Sequence, residues 1–332
     1  MQGDNWTKTM QRWLYPVLLI IVNLSWLTYM TLSNSWHLFQ TLWPISLTMV
    51  FGSFVAGATA GGGAAVAFPV FTKILQISTA DARTFGLMIQ SVGMMMATVI
   101  IFVRRVPILP QVILWTSLGG VVGQILGTYT MIIPPPFPKL LFTFVATAFG
   151  VAWAVARWVF NWRPVTELAV WNGRQRAHFF VLGIIGGIFS ANTGAGIDML
   201  VFVVLTLAFS INEKISTPTS VIIMGINSVV GFFLHGVVSN DIGVVWTYWL
   251  VAIPIVVLGA PLGAYFASKV SRDHIIALLL FLISLELITT LVLIPFTTIS
   301  LVVTAVTVLV AICWFSIMLR YRYKQILLRN TV

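Results

Sequence analysis

The sequence predicts an all-α polytopic membrane protein of two inverted repeats. Each repeat is a broken re-entrant helical hairpin plus three transmembrane helices, and one extra helix stands at each end of the chain. Three observations predict it. First, 59% of the 332 residues are hydrophobic and 8% charged, a balance that excludes a soluble domain. Second, a glycine-rich break, Gly57-Ala58-Thr59-Ala60-Gly61-Gly62-Gly63, cuts an apolar stretch running from about Pro44 to Leu75. Third, the break recurs as Gly186-Gly187-Ile188-Phe189-Ser190-Ala191-Asn192-Thr193-Gly194-Ala195-Gly196.

About 20 apolar residues suffice to cross a bilayer as one helix, and the first broken stretch is longer than that. Three consecutive glycines leave the backbone free to turn and its N–H groups open to a bound group. Bare backbone at membrane depth is tolerated only where protein buries it or it lines a cavity. The stretch therefore reads as two half-helices meeting at a tip. The second half starts near Gly63, so its N-terminus, with free N–H groups and partial positive charge, faces the tip. Such an end suits an anion.

The recurrence keeps register. Phe51-Gly52 matches Leu182-Gly183, Ala60 matches Ala191 and Gly63 matches Gly194. Downstream, Gly123 and Gly127 match Gly259 and Gly263, with the offset drifting only from 131 to 136. Paired, interrupted hydrophobic segments in two halves of a chain point to a transporter binding site. The competing reading, glycine patches for helix packing, does not require recurrence in register.

The chain divides accordingly. Residues 1–43 hold an N-terminal transmembrane helix and loop, and 44–160 the first repeat: the broken segment, then helices at about 84–103, 110–131 and 138–159. Residues 161–178 form a polar connector. The second repeat, 179–294, has its broken segment at 179–209 and helices at about 217–237, 245–268 and 275–294. Residues 295–332 hold a last helix and a basic tail. The +10 charge lies in loops and at the C-terminus, as membrane topology requires, and is no nucleic-acid footprint. The one cysteine, Cys313, allows no internal disulfide, and no metal or cofactor site is suggested.

Loop charge chooses between crossing and re-entrant segments, because Lys and Arg favour the cytoplasm. With cytoplasmic termini and two re-entrant hairpins, only Lys73, Arg83 and Lys139 of the 18 cations fall outside. With two crossing segments, Arg104, Arg105, Arg157, Arg163, Arg174 and Arg176 all fall outside. The re-entrant arrangement leaves three crossings per repeat, so the repeats are inverted and the two tips approach the midplane from opposite faces.

A charge inside the hydrocarbon needs a reason. Asp198 follows the second break, as a proton carrier or ion ligand, or as a carboxylate held by the helix dipole. Glu286 lies mid-helix, as a coupling residue or bonded to a neighbouring Ser or Thr. Asn227 sits at the depth of the tips. Lys73 is expected to snorkel to the outer surface, and His235 to be interfacial. No hydrolase constellation, histidine pair or Walker loop appears, so the chain is read as no enzyme and as using no ATP.

Gly61-Gly62-Gly63 with Pro69, Gly194-Ala195-Gly196, the helix start Thr217-Pro218-Thr219-Ser220 and the two Gly-x-x-x-Gly segments resemble the sulfite exporter TauE/SafE family over about 44–294. The resemblance implies a multi-pass bacterial inner-membrane permease exporting sulfite or a sulfonate such as sulfoacetate. The second copy departs from the usual glycine richness through Asn192, Thr193 and Asp198. The resulting expectation is a secondary active exporter of a small sulfur anion. Thr59, Gly61, Gly62, Gly63, Ser190, Asn192, Thr193, Gly194 and Asn227 bind the anion, while Asp198 and Glu286 couple it to protons, or sodium replaces them. The alternatives are a passive anion channel and a non-transporting membrane subunit or enzyme.

Overall fold

The protein's structure, a computed structural model, describes residues 3–59, 67, 70–158, 164–168, 170–294 and 296–330. Helix α1 (Gly3–Leu32) is followed by a 3-10 turn and α2 (Leu38–Ala58). Beyond the first break come a π turn (Val70–Ile74), α3 (Thr79–Val103), α4 (Pro110–Tyr129) and α5 (Phe137–Trp158). The second series is α6 (Gly173–Thr193), then α7 (Ile197–Val203) running into a π turn (Val204–Ala208). It continues with α8 (Glu213–Phe233) and its own π turn (Leu234–Val238), α9 (Val245–Lys269) and α10 (Arg272–Leu293). Helix α11 (Thr298–Asn330) closes the chain. Among the described residues there is no strand, only an isolated bridge between Val165 and Ile211, and 7 helices are long and apolar enough to cross a membrane.

Several helices start earlier than hydropathy places them. Ser78 accepts the N–H of Asp81, Asn172 those of Arg174 and Gln175, and Asn212 that of Lys214. These caps satisfy N–H groups that the helix itself leaves open, and so extend α3, α6 and α8 into polar sequence. Helix α11 runs on through the basic residues from Arg320.

The first arms of the broken segments, α2 and α6, have 21 residues each, about 31 Å at about 1.5 Å per residue, but α6 opens with the polar run Gly173–His178 and, unlike α2, is not among the helices long and apolar enough to cross a membrane. The second arm of the second break is short, 7 α-helical residues and a 5-residue π turn.

The two series interlock. Helix α4 packs on α6 and α9 on α2, so each first arm is covered by a helix of the other series, while α3 lies against α8. Glycines make these contacts close. A Cβ on Gly119 or Gly123 would fall 1.9 or 2.1 Å from the carbonyl oxygens of Phe180 or Ile184 on α6. A Cβ on Gly263 would fall 1.9 Å from that of Phe54 on α2. The Gly-x-x-x-Gly segments are therefore helix-packing seams, where small residues let backbones approach in the absence of a hydrophobic drive between helices. Helix α1 lies outside this core, its Leu24 and Ile20 exposed. It is pinned to α9 through Trp26, which donates to the Leu250 carbonyl at 2.7 Å, and Tyr15, which donates to that of Val257 at 3.2 Å.

Candidate functional site

The second break is a tight, fully engaged turn. Gly194 (φ 80°) and Gly196 (φ 125°) hold left-handed backbone that a side chain disfavours. A Cβ on Gly194 would also meet the Arg83 carbonyl at 2.7 Å. The Gly194 N–H closes α6 by donating to the Ser190 carbonyl at 2.7 Å, as a glycine C-cap does.

The start of α7 is filled by the chain itself. Asp198 is completely buried, and its Oδ1 accepts the Gly196 N–H at 3.1 Å. Ser190 Oγ accepts the Ile197 N–H at 3.0 Å. The carboxylate thus occupies the positive end of its own helix, the favourable place for a negative charge. Its Oδ2 is buried with no hydrogen-bond partner.

The other polar residues of the turn are also engaged. Asn192 accepts the Ile133 N–H at 2.7 Å and donates to the carbonyls of Met131 and Ile188, both at 2.9 Å, which ties the α4–α5 loop to the turn. Thr193 Oγ1 lies within donating reach of the Phe189 carbonyl at 2.9 Å and of the Ala195 carbonyl. Thr59 is fully buried and donates back to the Val55 carbonyl at 3.0 Å. Gly61, Gly62 and Gly63 lie outside the described residues. Asn227 donates to Gln124 Oε1 at 3.0 Å, leaving its own Oδ1 and the Gln124 amide nitrogen buried without partners.

A cavity joins the two broken segments. It is lined by Ser53 and Ala56 of α2, Gln90 and Gly93 of α3, Thr193 and Gly194 of the second turn, and Phe71, with a wall otherwise largely apolar. Gln90 Nε2 donates to the Gly194 carbonyl at 2.8 Å, while Gln90 Oε1 and Ser53 Oγ are buried without partners. The cavity measures about 30 Å³, room for two or three waters at about 10–15 Å³ each. A pyramidal or tetrahedral oxyanion enters only if it widens.

Glu286 stands apart from this cavity, in a cluster that the sequence reading missed. Its Oε1 accepts from Thr143 at 2.8 Å and Thr290 at 3.2 Å, with Lys73 Nζ at 3.9 Å. Lys73 does not snorkel outward. Its side chain is 2% exposed and donates to Thr289 and Thr290 at 2.7 and 3.1 Å. Lys139 is buried beside it and donates to Thr72 at 2.7 Å. Hydropathy sees isolated lysines at helix ends here, and only tertiary packing turns them inward. His235 is likewise buried, with Nδ1 2.9 Å from Asp241 Oδ1.

A smaller cavity lies between Gly57, Val106, Glu213, Thr217 and Ala264. Glu213 is buried there, and its place at the first position of α8 after the Asn212 cap was the available signal. Among the described residues no cluster of three His, Cys, Asp or Glu could hold a metal.

A family model, sulfite exporter TauE/SafE, matches residues 45–290, which includes both broken segments and the helices packed on them. No curated protein and no solved structure matches the chain. The chain belongs to the sulfite exporter TauE/SafE family, whose members are membrane transporters of sulfur-containing anions and not enzymes.

Proposed function

We propose that the protein is a secondary active exporter of a small sulfur oxyanion or organosulfonate, such as sulfite or sulfoacetate. The observation that carries this reading is the cavity in which α2 of the first broken segment meets Thr193 and Gly194 of the second. Residues from both halves line one space there, as at the repeat interface of inverted-repeat transporters. Its small volume suits a carrier held closed, in which access depends on relative movement of the halves.

The anion lies between Ser53, Gln90 and Thr193, while Ser190, Asn192 and Asn227, outside the cavity lining, brace the second turn and α8 through their hydrogen bonds. Asp198 and Glu286 carry the coupling protons. Asp198 already sits where the half-helix attracts negative charge, so substrate and carboxylate compete for one electrostatic position. That competition supports proton coupling, because protonation of the acid relieves the repulsion.

The chain order supports two inverted repeats, residues 44–160 and 179–294, about the connector 161–178. The π turns at Val70 and Val204 are offset by 134 residues, within the 131-to-136 drift of the glycine motifs, and the cross-packing is reciprocal. Both termini are placed in the cytoplasm, with the two breaks re-entrant. This topology puts only Lys73, Arg83 and Lys139 outside. The Lys73 and Lys139 side chains are buried and Arg83 is half-buried, so none is an ordinary surface cation opposing the charge rule.

The test is transport by the reconstituted protein of sulfite, sulfate, taurine, sulfoacetate and simple carboxylates, with and without an imposed proton or sodium gradient. Proton-driven accumulation of a sulfur anion is expected. Flux without dependence on either gradient identifies a channel, and carboxylate preference removes the sulfur anion.

A further inference from the structure

The smaller cavity continues the line of the first along the seam between α2 and α9. Ala56 and Ala260 line the central cavity, and Gly57 and Ala264 line the smaller one. The two are divided where Gly57 meets α9, since a Cβ there would fall 1.9 Å from the Ala260 carbonyl oxygen. We propose that the smaller cavity is the cytoplasmic proton mouth of the carrier, where Glu213 and Thr217 pass protons between the central cavity and the cell interior. The proposal rests on the reading of the chain as a proton-coupled carrier.

Placement is the first support. Glu213 begins α8 as Thr79 begins α3, 134 residues earlier, the offset that also separates the π turns at Val70 and Val204. The first turns of α3 line the central cavity beside the turn of the second break. The first turns of α8 line the smaller cavity beside the end of α2, where the first break begins. Each break thus has a cavity against the start of a helix from the other series, as two opposed accesses in an inverted repeat would. Lys214 at the rim is exposed, and the proposed topology puts that rim in the cytoplasm.

A buried hydroxyl is the second support. Glu213 is 1% exposed and Thr217 is 3% exposed, four residues apart on one face of α8. Buried helical threonines satisfy their hydroxyl at the carbonyl four residues back, as Thr219 does at Ile215 and Thr206 at Phe202, both at 2.7 Å. Thr217 Oγ1 makes no such bond and is buried without a partner. An unpaired buried hydroxyl is costly, and water in a polar cavity is the partner that removes the cost. The cavity measures about 20 Å³, room for one or two waters at about 10–15 Å³ each.

The chemistry needs only O–H bonds. A hydroxyl both donates and accepts, so Thr217 relays a proton from a cavity water to the Glu213 carboxylate, and the carboxyl returns it to water at the Lys214 rim. The other charged groups at this end are Arg104 and Lys269, over the Tyr265 ring at 4.9 and 5.9 Å, Arg105 at the end of α3, and Asp273 and His274, exposed at the start of α10. Glu213 is the one acid in the cavity lining and Lys214 stands beside it, a setting that disfavours a metal cation and leaves the proton as the charge taken up. A glutamate that merely fastens the start of α8 would lose stability on mutation and leave coupling untouched.

The experiment is transport by the full-length protein in liposomes, with the anion of the panel above that the parent carries best. Exchange without a gradient and accumulation under a proton gradient are measured side by side, and melting temperatures in parallel. Glu213→Gln is expected to exchange the anion as the parent does and to lose proton-driven accumulation, and Glu213→Asp to retain it. Thr217→Val is expected to accumulate more slowly with exchange unchanged. In a Cys313→Ser background, Thr217→Cys is expected to react during turnover with a small impermeant thiol reagent from the cytoplasmic side alone. Parental accumulation in Glu213→Gln overturns the proposal, and so does loss of exchange together with accumulation, which marks a structural group. Labelling of Thr217→Cys from outside, or from neither side, also overturns it. Should Glu213→Gln fail to fold, Thr217→Val and the labelling decide, and parental accumulation in Thr217→Val overturns the proposal. Accumulation driven by sodium without a proton gradient overturns it too. A parent that transports none of the panel overturns the carrier reading and this proposal with it, whereas a transporting parent matched by Glu213→Gln overturns this proposal alone.

Discussion

Gln90 on α3 donates its amide to the carbonyl oxygen of Gly194, 2.8 Å away in the turn of the second break. One bond thus clasps the helix that follows the first break to the backbone of the second, at the wall of the cavity between them. The Gly194 carbonyl is backbone and cannot be re-aimed without moving the turn.

Gln90→Met keeps the volume and removes the donor. A buried carbonyl left without its partner costs about 1–3 kcal/mol, so a clear fall in melting temperature is expected, together with slower transport. A Gln90→Met protein with both parental stability and parental flux would show that the clasp does nothing.

Asp198→Asn retains an oxygen able to accept the Gly196 N–H and discards the charge. The expected result is a folded protein that still exchanges substrate but no longer accumulates it against a proton gradient. Asp198→Ala also leaves the buried Gly196 N–H without its acceptor and is expected to be less stable by about 1–3 kcal/mol. Proton-driven accumulation by Asp198→Asn equal to the parent's would remove the acid from coupling.

The glycine seams give a contrast in stability. Gly263→Ala places a Cβ 1.9 Å from the Phe54 carbonyl and forces α9 off α2, whereas Gly173→Ala meets nothing within 4 Å. Thermal denaturation should show severe loss for the first. The second should be unchanged or gain about 0.4–1 kcal/mol from reduced chain entropy. Equal behaviour of the two would contradict the close approach of α2 and α9.

Topology is testable without disturbing caps. Ser78 and Asn212 are N-caps, so labels belong at exposed Ala80 and Lys214 instead. In a Cys313→Ser background, an impermeant thiol reagent should reach Ala80→Cys from outside and Lys214→Cys only after permeabilisation. Labelling of both from one side is incompatible with inverted repeats.

The sequence by itself determined the class, the paired breaks and the family. Each is written in local composition: long apolar runs, consecutive glycines and their recurrence at a nearly fixed offset. It also marked Asp198 and Glu286, because a carboxylate in apolar sequence is conspicuous wherever it ends up. Tertiary structure alone decided what these groups touch. Gly123 and Gly127 belong to a packing seam because α4 comes to lie on α6. Asn192 is held by a loop some 60 residues away in the chain. The anion-ready end of α7 holds Asp198 itself. The lysines at 73 and 139 face inward to a glutamate more than 140 residues further on. Hydropathy and spacing sum over neighbours along the chain, whereas the energy of a buried charge or a vacant N–H depends on neighbours in space. Those neighbours exist only once the two halves have packed.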